Sequence, residues 1–330
     1  MLRTGLIPSA LALLAAAAIG CGGSGSGDNL TLVAYSTPKE AYAEIIPAFN
    51  EASGGADSGF DQSYGSSGEQ ARAVEGGLDA DVVALSLEPD VTKLVDAGLV
   101  DDSWNQDEHK GMVTRSVVVF AVREGNPENI RTWDDLLRDG VEVITPNPFT
   151  SGGAQWNIMA AYGAQLERGK SPEEALDYLR QMLENVPVQD KSARESLATF
   201  AGGKGDVLLA YENEAITAQD KGEELDYVIP DETILIENPV AVVNETDEPD
   251  EARAFVDFLR TEPAQRIFAE KGYRPVLDRL RDKQRYPDPP KLFTIAELGG
   301  WADVRKDFFD PEDGSVTKIL QDQGVSTESG

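Results

Sequence analysis

Small hydroxyl residues and glycines occur three times at a junction where a predicted strand ends and a predicted helix begins. The three junctions lie at residues 35–38 (YSTP), 64–68 (YGSSG) and 150–153 (TSGG). Backbone N–H groups of a first helical turn have no intrahelical partner, and glycine lets an anion approach them closely. Three such junctions therefore predict an anion cradle made of uncharged donors. Ser and Gly are also common caps and turn residues, which is the alternative explanation of any single junction.

The chain lacks the residues that most catalytic and metal sites need, because it has one His and one Cys. His109 stands in a polar stretch, is expected at the surface and completes no catalytic triad. The GGKG sequence at 202–205 lacks the Ser or Thr that follows the Lys of a P-loop, and a surface turn is expected there. Neighbouring carboxylates are better explained as solvated helix ends than as acid/base pairs. We expect no enzyme activity, no metal and no cofactor.

The charge balance excludes another class of partner. The chain has 59 Asp plus Glu against 29 Lys plus Arg, which gives a formal net charge of −30. Nucleic-acid binding needs clustered basic side chains, so nucleic acid is excluded as a partner. Hydrophobic residues make up 41% and charged residues 27%, as in an ordinary globular protein with a sizeable core.

The elements that must position the junctions follow an α/β alternation. Short apolar runs bounded by turn residues alternate with stretches of helical period, which is typical of βαβ units. The predicted strands are 30–35, 81–85, 114–122, 141–145, 206–211 and 240–243. The predicted helices are 39–49, 69–76, 91–97, 155–166, 172–183, 194–200, 252–260 and 263–271.

The N-terminus has the features of an export signal. Arg3 precedes an apolar run at 6–19 that is short for a membrane span, and a Gly/Ser stretch follows Cys21. The tetrad at 18–21 (AIGC) resembles the bacterial lipobox, although Ala18 stands where Leu is commoner. We expect a signal peptide over 1–20, a lipid anchor on Cys21 and a flexible tether over 21–28. A free structural thiol is the alternative for Cys21.

Several long segments resemble the periplasmic sulfate-binding proteins of ABC importers. The VEVITPNP…SGGA…WN pattern is highly specific, and the resemblance covers nearly the whole exported chain. The segments are DQSYGSSGEQAR (61–72), DADVVALSL (79–87), VREGNPENIRTWDDLLRDGVEVITPNPFTSGGAQWN (122–157), NVPVQDKSARES (185–196), GDVLLAYENEA (205–215), YRPV (273–276) and KLFTIAELGGW (291–301).

The resemblance implies a two-lobed α/β periplasmic-binding-protein fold of type II, with hinge strands and a ligand cleft between the lobes. The first lobe is expected to comprise residues 29–115 plus 241–330, and the second residues 116–240. Hinges are expected near Arg115–Val118 and Pro239–Val242.

The resemblance also implies a set of sulfate ligands, all of them uncharged. Ser151 is expected to donate its hydroxyl, and the other positions carry over from the family's motifs. Tyr211 stands where the family has Trp; its hydroxyl donates differently from an indole N–H, and simple ring packing is the alternative for it. The ligand positions are Ser36, Ser67, Ser151, Gly152, Gly153, Ala193 and Tyr211.

The function implied is that of an extracytoplasmic, lipid-anchored, monomeric binding protein that delivers sulfate to an ABC permease and, through it, an ATPase. The change at Tyr211 leaves thiosulfate open, and molybdate or phosphate are further alternatives. Glu69, Asp190 and Glu212 are the carboxylates near the expected site in sequence, and any one pointing into the cleft favours phosphate. A sensor that docks on a receptor, and an envelope hydrolase using the SGG loop as an oxyanion hole, are the other classes considered.

Overall fold

The computed structural model describes residues 29–53 and 59–328, so the predicted signal peptide, Cys21 and the tether lie outside the described residues. Within these ranges no helix is long and apolar enough to cross a membrane. The strands are β1 (Leu30–Tyr35), β2 (Phe60–Gly65), β3 (Val82–Ala84), β4 (Met112–Arg123), β5 (Val143–Ile144), β6 (Val207–Tyr211), β7 (Leu225–Val228), β8 (Glu232–Val242), β9 (Arg274–Pro275) and β10 (Lys291–Phe293).

Helices connect most of these strands, as the alternating pattern predicts. They are α1 (Lys39–Ala52), α2 (Ser67–Glu75), α3 (Glu88–Asp96), α4 (Gly152–Glu167), α5 (Pro172–Glu184), α6 (Ala193–Ala201), α7 (Glu212–Asp220), α8 (Pro249–Leu259), α9 (Glu262–Glu270), α10 (Gly300–Phe309) and α11 (Ser315–Asp322). Three short 3₁₀ helices lie at Trp133–Leu137, Asp278–Leu280 and Ile295–Leu298.

The first lobe is built on parallel strands covered on both faces. β1 pairs in parallel with β2 and β3, and the end of β8 joins antiparallel to β3. One face packs on α1, α8 and α9 through an aromatic core that includes Phe49, Phe255 and Phe268. The other face packs on α2 and α3 through Val74 and Leu94. Because helices cover both faces, β1 and β3 are mainly apolar, which made these two strands easy to predict.

The second lobe has the same layered plan. β4 pairs with β6 and β7, and β5 pairs in parallel with β6. α4 and α5 cover one face, where Trp156 and Leu179 are buried. α6 and α7 cover the other face, where Phe200 and Ala215 are buried.

Two long strands run through both lobes. The first half of β4 pairs with β8, and its second half pairs with β6 of the second lobe. β8 in turn pairs with β4 over Leu235–Pro239 and with β3 over Val240–Val242. The expected hinge positions, Arg115–Val118 and Pro239–Val242, lie on these two strands.

The C-terminal segment crosses from one lobe to the other. α8, α9 and β9 pack on the first lobe, whereas β10, α10 and α11 bury Phe293, Trp301 and Leu320 in the core of the second lobe. The division drawn from the sequence places all of 241–330 in the first lobe, so the packing of residues 291–322 differs from it. The sequence of an amphipathic helix shows that the helix has an apolar face, but it does not show against which core that face packs.

Candidate anion-binding site

A small cavity lies between the lobes, at the carboxyl ends of β1, β2, β3 and β6. All seven ligand positions expected from the sequence lie in its wall, and none of the described residues that line it is charged. The lining residues are Tyr35, Ser36, Thr37, Gly65, Ser66, Ser67, Ser86, Ser151, Gly152, Gly153, Ser192, Ala193 and Tyr211.

Five helices begin at this cavity, two from the first lobe and three from the second. α1 starts just after Thr37 and α2 at Ser67; α4 starts at Gly152, α6 at Ala193 and α7 just after Tyr211. The positive ends of five helix dipoles therefore face one small space. The three junctions of the sequence pattern account for α1, α2 and α4, and the resemblance alone pointed to α6 and α7.

The N–H groups at these helix starts are free to bind a ligand. Within the described residues, the N–H groups of Gly152, Gly153 and Ala193 have no hydrogen-bond partner. The Ser151 hydroxyl also has none, and it caps no N–H of α4. Donors without acceptors at a cluster of helix N-termini form an anion-binding arrangement.

The two glycines of the α4 junction serve different purposes. A Cβ on Gly152 lies only 2.8 Å from Leu87 Cγ and 2.9 Å from Ser86 Oγ, so the close packing of the two lobes requires glycine there. A Cβ on Gly153 makes ordinary contacts of 3.5–3.6 Å with Ala193 Cβ, Ser151 Oγ and Tyr211 Cε1, and all three residues line the cavity. Gly153 therefore leaves space inside the site itself.

The hydroxyl of Ser67 is not available to a ligand. It donates to Asp90 at 2.6 Å and accepts from the N–H of Ser86 at 2.9 Å. Burial raises the pKa of the Asp90 carboxyl, an effect that the Ser67 hydroxyl opposes. What Ser67 offers to the cavity is its backbone N–H, as the first residue of α2.

Tyr211 is 2% exposed and its hydroxyl lies 2.7 Å from Ser86 Oγ. Burial raises the pKa of Tyr211 well above its usual value, so the phenol stays protonated. Two hydroxyls share this bond, and one of their two hydrogens remains for a ligand. Ser86 was not predicted from the sequence, although its place directly after the 81–85 strand was an available signal.

The carboxylates that would favour phosphate if they pointed into the cavity do not line it. Asp190 accepts from the Ser196 and Thr199 hydroxyls at 3.0 Å, and Glu212 accepts two bonds from Arg274 at 2.7 and 3.0 Å. Glu69 is not among the lining residues.

Glu214, which the sequence did not single out, is the carboxylate immediately behind the wall. It accepts from the Thr37 hydroxyl at 3.3 Å, and burial raises its pKa while Arg194 opposes the rise. Thr37 lines the cavity and Glu214 does not, so no carboxylate of the described residues forms part of the lining.

Ion pairs join the lobes around the cavity. Arg194 of α6 donates to both carboxylate oxygens of Glu40 on α1, at 2.9 and 2.7 Å, and Lys221 contacts the same carboxylate. Burial on its own raises the pKa of Glu40, but hydrogen bonds from these two cations lower it to about 2. Arg274 of β9 and Glu212 of α7 form the second, fully buried pair. The structure is thus a closed form of the two lobes.

Two α/β lobes on shared strands, enclosing a small cavity of backbone donors, define a solute-binding protein that closes around a small anion. Residues 30–274 match the family model described as bacterial extracellular solute-binding protein. The chain is 45% identical to the sulfate-binding protein of Synechococcus elongatus, over 91% of this chain and 89% of that one. It is 35% identical to the thiosulfate-binding protein of Escherichia coli K12, over 87% and 89%.

Among solved structures, the sulfate-binding protein SubI from Mycobacterium tuberculosis H37Rv matches with a TM-score of 0.84 and 44% identity, covering 86% of this chain and 100% of that chain. This chain therefore belongs to the bacterial extracellular solute-binding proteins, and within them to the periplasmic sulfate-binding protein family. The family resemblance and the two-lobed α/β fold predicted from the sequence are both confirmed.

Proposed function

We propose that this protein is the substrate-binding component of an ABC importer that binds sulfate in the interlobe cavity and delivers it to a permease. The observation that carries the proposal is the wall of the cavity, which offers unpaired N–H groups of Gly152, Gly153 and Ala193 and, in the part of the chain that the structure describes, contains no carboxylate. Sulfate and thiosulfate are the ligands that give several relatives their names.

Selectivity in this proposal follows from what the wall lacks. Sulfate is a dianion without a proton near neutral pH, so N–H donors satisfy its oxygens. Protonated phosphate brings a hydrogen that needs an acceptor, and an unpaired one costs about 1–3 kcal/mol. The hydroxyls of Ser86 and Tyr211 are groups that can accept as well as donate, so phosphate is the most demanding competitor to test.

Closure of the two lobes is the change by which a permease recognises the loaded protein. The ligand contacts helix starts of both lobes, so binding favours the form in which Arg194 reaches Glu40, and a permease recognises that closed form. The protein makes and breaks no bond. It acts as an exported monomer, held to the membrane by a lipid on Cys21 and the tether that follows it.

A ligand panel tests the proposal. Calorimetry on the protein without residues 1–21 compares sulfate, thiosulfate, molybdate and phosphate. Sulfate at 100 times its dissociation constant should add about 2.7 kcal/mol to the free energy of unfolding, which a thermal melt detects. Tight binding of phosphate or molybdate with none of sulfate refutes the proposal.

A further inference from the structure

Ser66 has a hydroxyl group for which the protein supplies no partner. It is the N-cap residue of α2, the residue is 4% exposed, and it lines the cavity. Its Oγ is buried and makes no hydrogen bond within the described residues. A buried unpaired hydroxyl carries a free-energy penalty, which a ligand in the cavity removes.

Other N-cap serines of the chain show what Ser66 does not do. The hydroxyls of Ser171 and Ser192 accept from the N–H three residues later, at 3.2 Å in both cases. Ser66 has the same extended backbone, with φ −73° and ψ 145°, yet its side chain caps nothing. Its backbone therefore permits the ordinary cap, and the hydroxyl is used differently.

The neighbouring hydroxyl cannot take this role. Ser67 donates to Asp90 and accepts from Ser86, so its hydrogen is directed away from the cavity. The 64–68 junction thus offers a ligand the N–H of Ser67 and the hydroxyl of Ser66.

We propose that Ser66 is a further anion-binding residue, whose hydroxyl donates a hydrogen bond to one oxygen of a tetrahedral oxyanion held between the lobes. The inference rests on the proposed function, since sulfate is the anion used to test it. A hydrogen bond to a charged group in a buried site makes this residue a determinant of affinity, while the fold has little need of it.

The test compares two N-cap serines. Ser66→Ala should weaken sulfate binding about tenfold to hundredfold in calorimetry, while the melting temperature of the ligand-free protein stays the same or rises. Ser171→Ala, at a cap that does not line the cavity, should do the opposite: a lower melting temperature and an unchanged dissociation constant. A ligand-free Ser66→Ala protein that melts lower and binds sulfate within twofold of wild type makes Ser66 an ordinary cap and overturns the proposal.

A second variant guards against misfolding. Ser66→Gly keeps an accepted N-cap residue and removes the hydroxyl, so it should show the same loss of affinity. If wild type binds thiosulfate, molybdate or phosphate instead of sulfate, the proposed function fails, and the same variants measured with that anion still decide the role of Ser66. If wild type binds none of the four anions, both proposals are refuted.

Discussion

Gly153→Ala separates ligand binding from folding at a single methyl group. The added Cβ meets Ala193, Ser151 and Tyr211 at 3.5–3.6 Å, which is ordinary van der Waals distance, so the protein accommodates it without movement. Gly153 is the second residue of α4, and alanine is the better helix former by about 0.5–1 kcal/mol. The free energy of unfolding without ligand should therefore stay constant or rise by up to about 1 kcal/mol.

In the proposed site, the same methyl group occupies space that the anion needs. It stands beside the unpaired N–H groups of the α4 start, so the ligand must give up at least one hydrogen bond to a charged oxygen, about 1.5–3 kcal/mol each. Steric exclusion adds to that loss. Sulfate affinity should fall at least about tenfold, measured by calorimetry, and the stabilisation of thermal unfolding by sulfate should fall with it.

Two control variants make the result specific. Gly152→Ala places a Cβ 2.8 Å from Leu87 Cγ and should lower the ligand-free stability by about 1–3 kcal/mol through overpacking. Gly202→Ala, at an exposed helix end with φ −69°, should leave sulfate affinity at the wild-type value. Wild-type sulfate affinity in Gly153→Ala would show that the anion does not lie against the α4 start, which would refute the assignment of the site.

Three further predictions address the contacts between the lobes and the aromatic wall. Arg274→Ala leaves Glu212 buried without its partner and should lower the free energy of unfolding by about 3–5 kcal/mol in urea, whereas an unchanged midpoint would contradict the buried pair. The pKa of Glu40 is lowered to about 2, so the contribution of Glu40 to stability is present above about pH 4.5 and is lost as the pH falls towards 2. In thermal melts, the wild-type protein should therefore lose more stability between about pH 4.5 and pH 2 than the Glu40→Gln variant. Parallel curves of melting temperature against pH would contradict this prediction. Tyr211→Phe removes the hydroxyl paired with Ser86 and should weaken sulfate binding about 5- to 20-fold; an unchanged dissociation constant reduces the residue to ring packing.

The local sequence pattern was sufficient to predict an element that is buried on both faces or that begins at a recognisable strand–helix junction. β1 matches its predicted bounds, and α4 and α5 lie within three residues of theirs. A strand was expected to end at the 64–68 junction, but its bounds were not predicted, because the sequence FDQSYG has three polar residues in a row and no continuous apolar run. β2 forms next to β1, with which it pairs in parallel over its full length, and its Phe60 and Tyr64 pack on the first-lobe core.

The C-terminal elements show a different limit. The last element predicted from the sequence ends at residue 271, but the structure has β9, β10, α10 and α11 after it. β10, α10 and α11 are short, and their apolar residues are buried against the second-lobe core, where the ring of Trp301 packs edge-to-face on that of Trp156 with centroids 4.7 Å apart. Short amphipathic segments have little stability of their own, so tertiary contacts decide whether they form.

The sequence by itself determined the kind of site: a chain with a formal charge of −30, one His and one Cys has uncharged donors at helix starts as its means of holding an anion. Only the tertiary structure decided which groups of those junctions are free. Ser66 and Ser67 look equivalent in the sequence, yet the hydroxyl of Ser67 is taken by Asp90, 23 residues away in the chain, and that of Ser66 is not. The backbone donors follow from local helix geometry, whereas the direction of a hydroxyl depends on partners that folding brings from elsewhere in the chain.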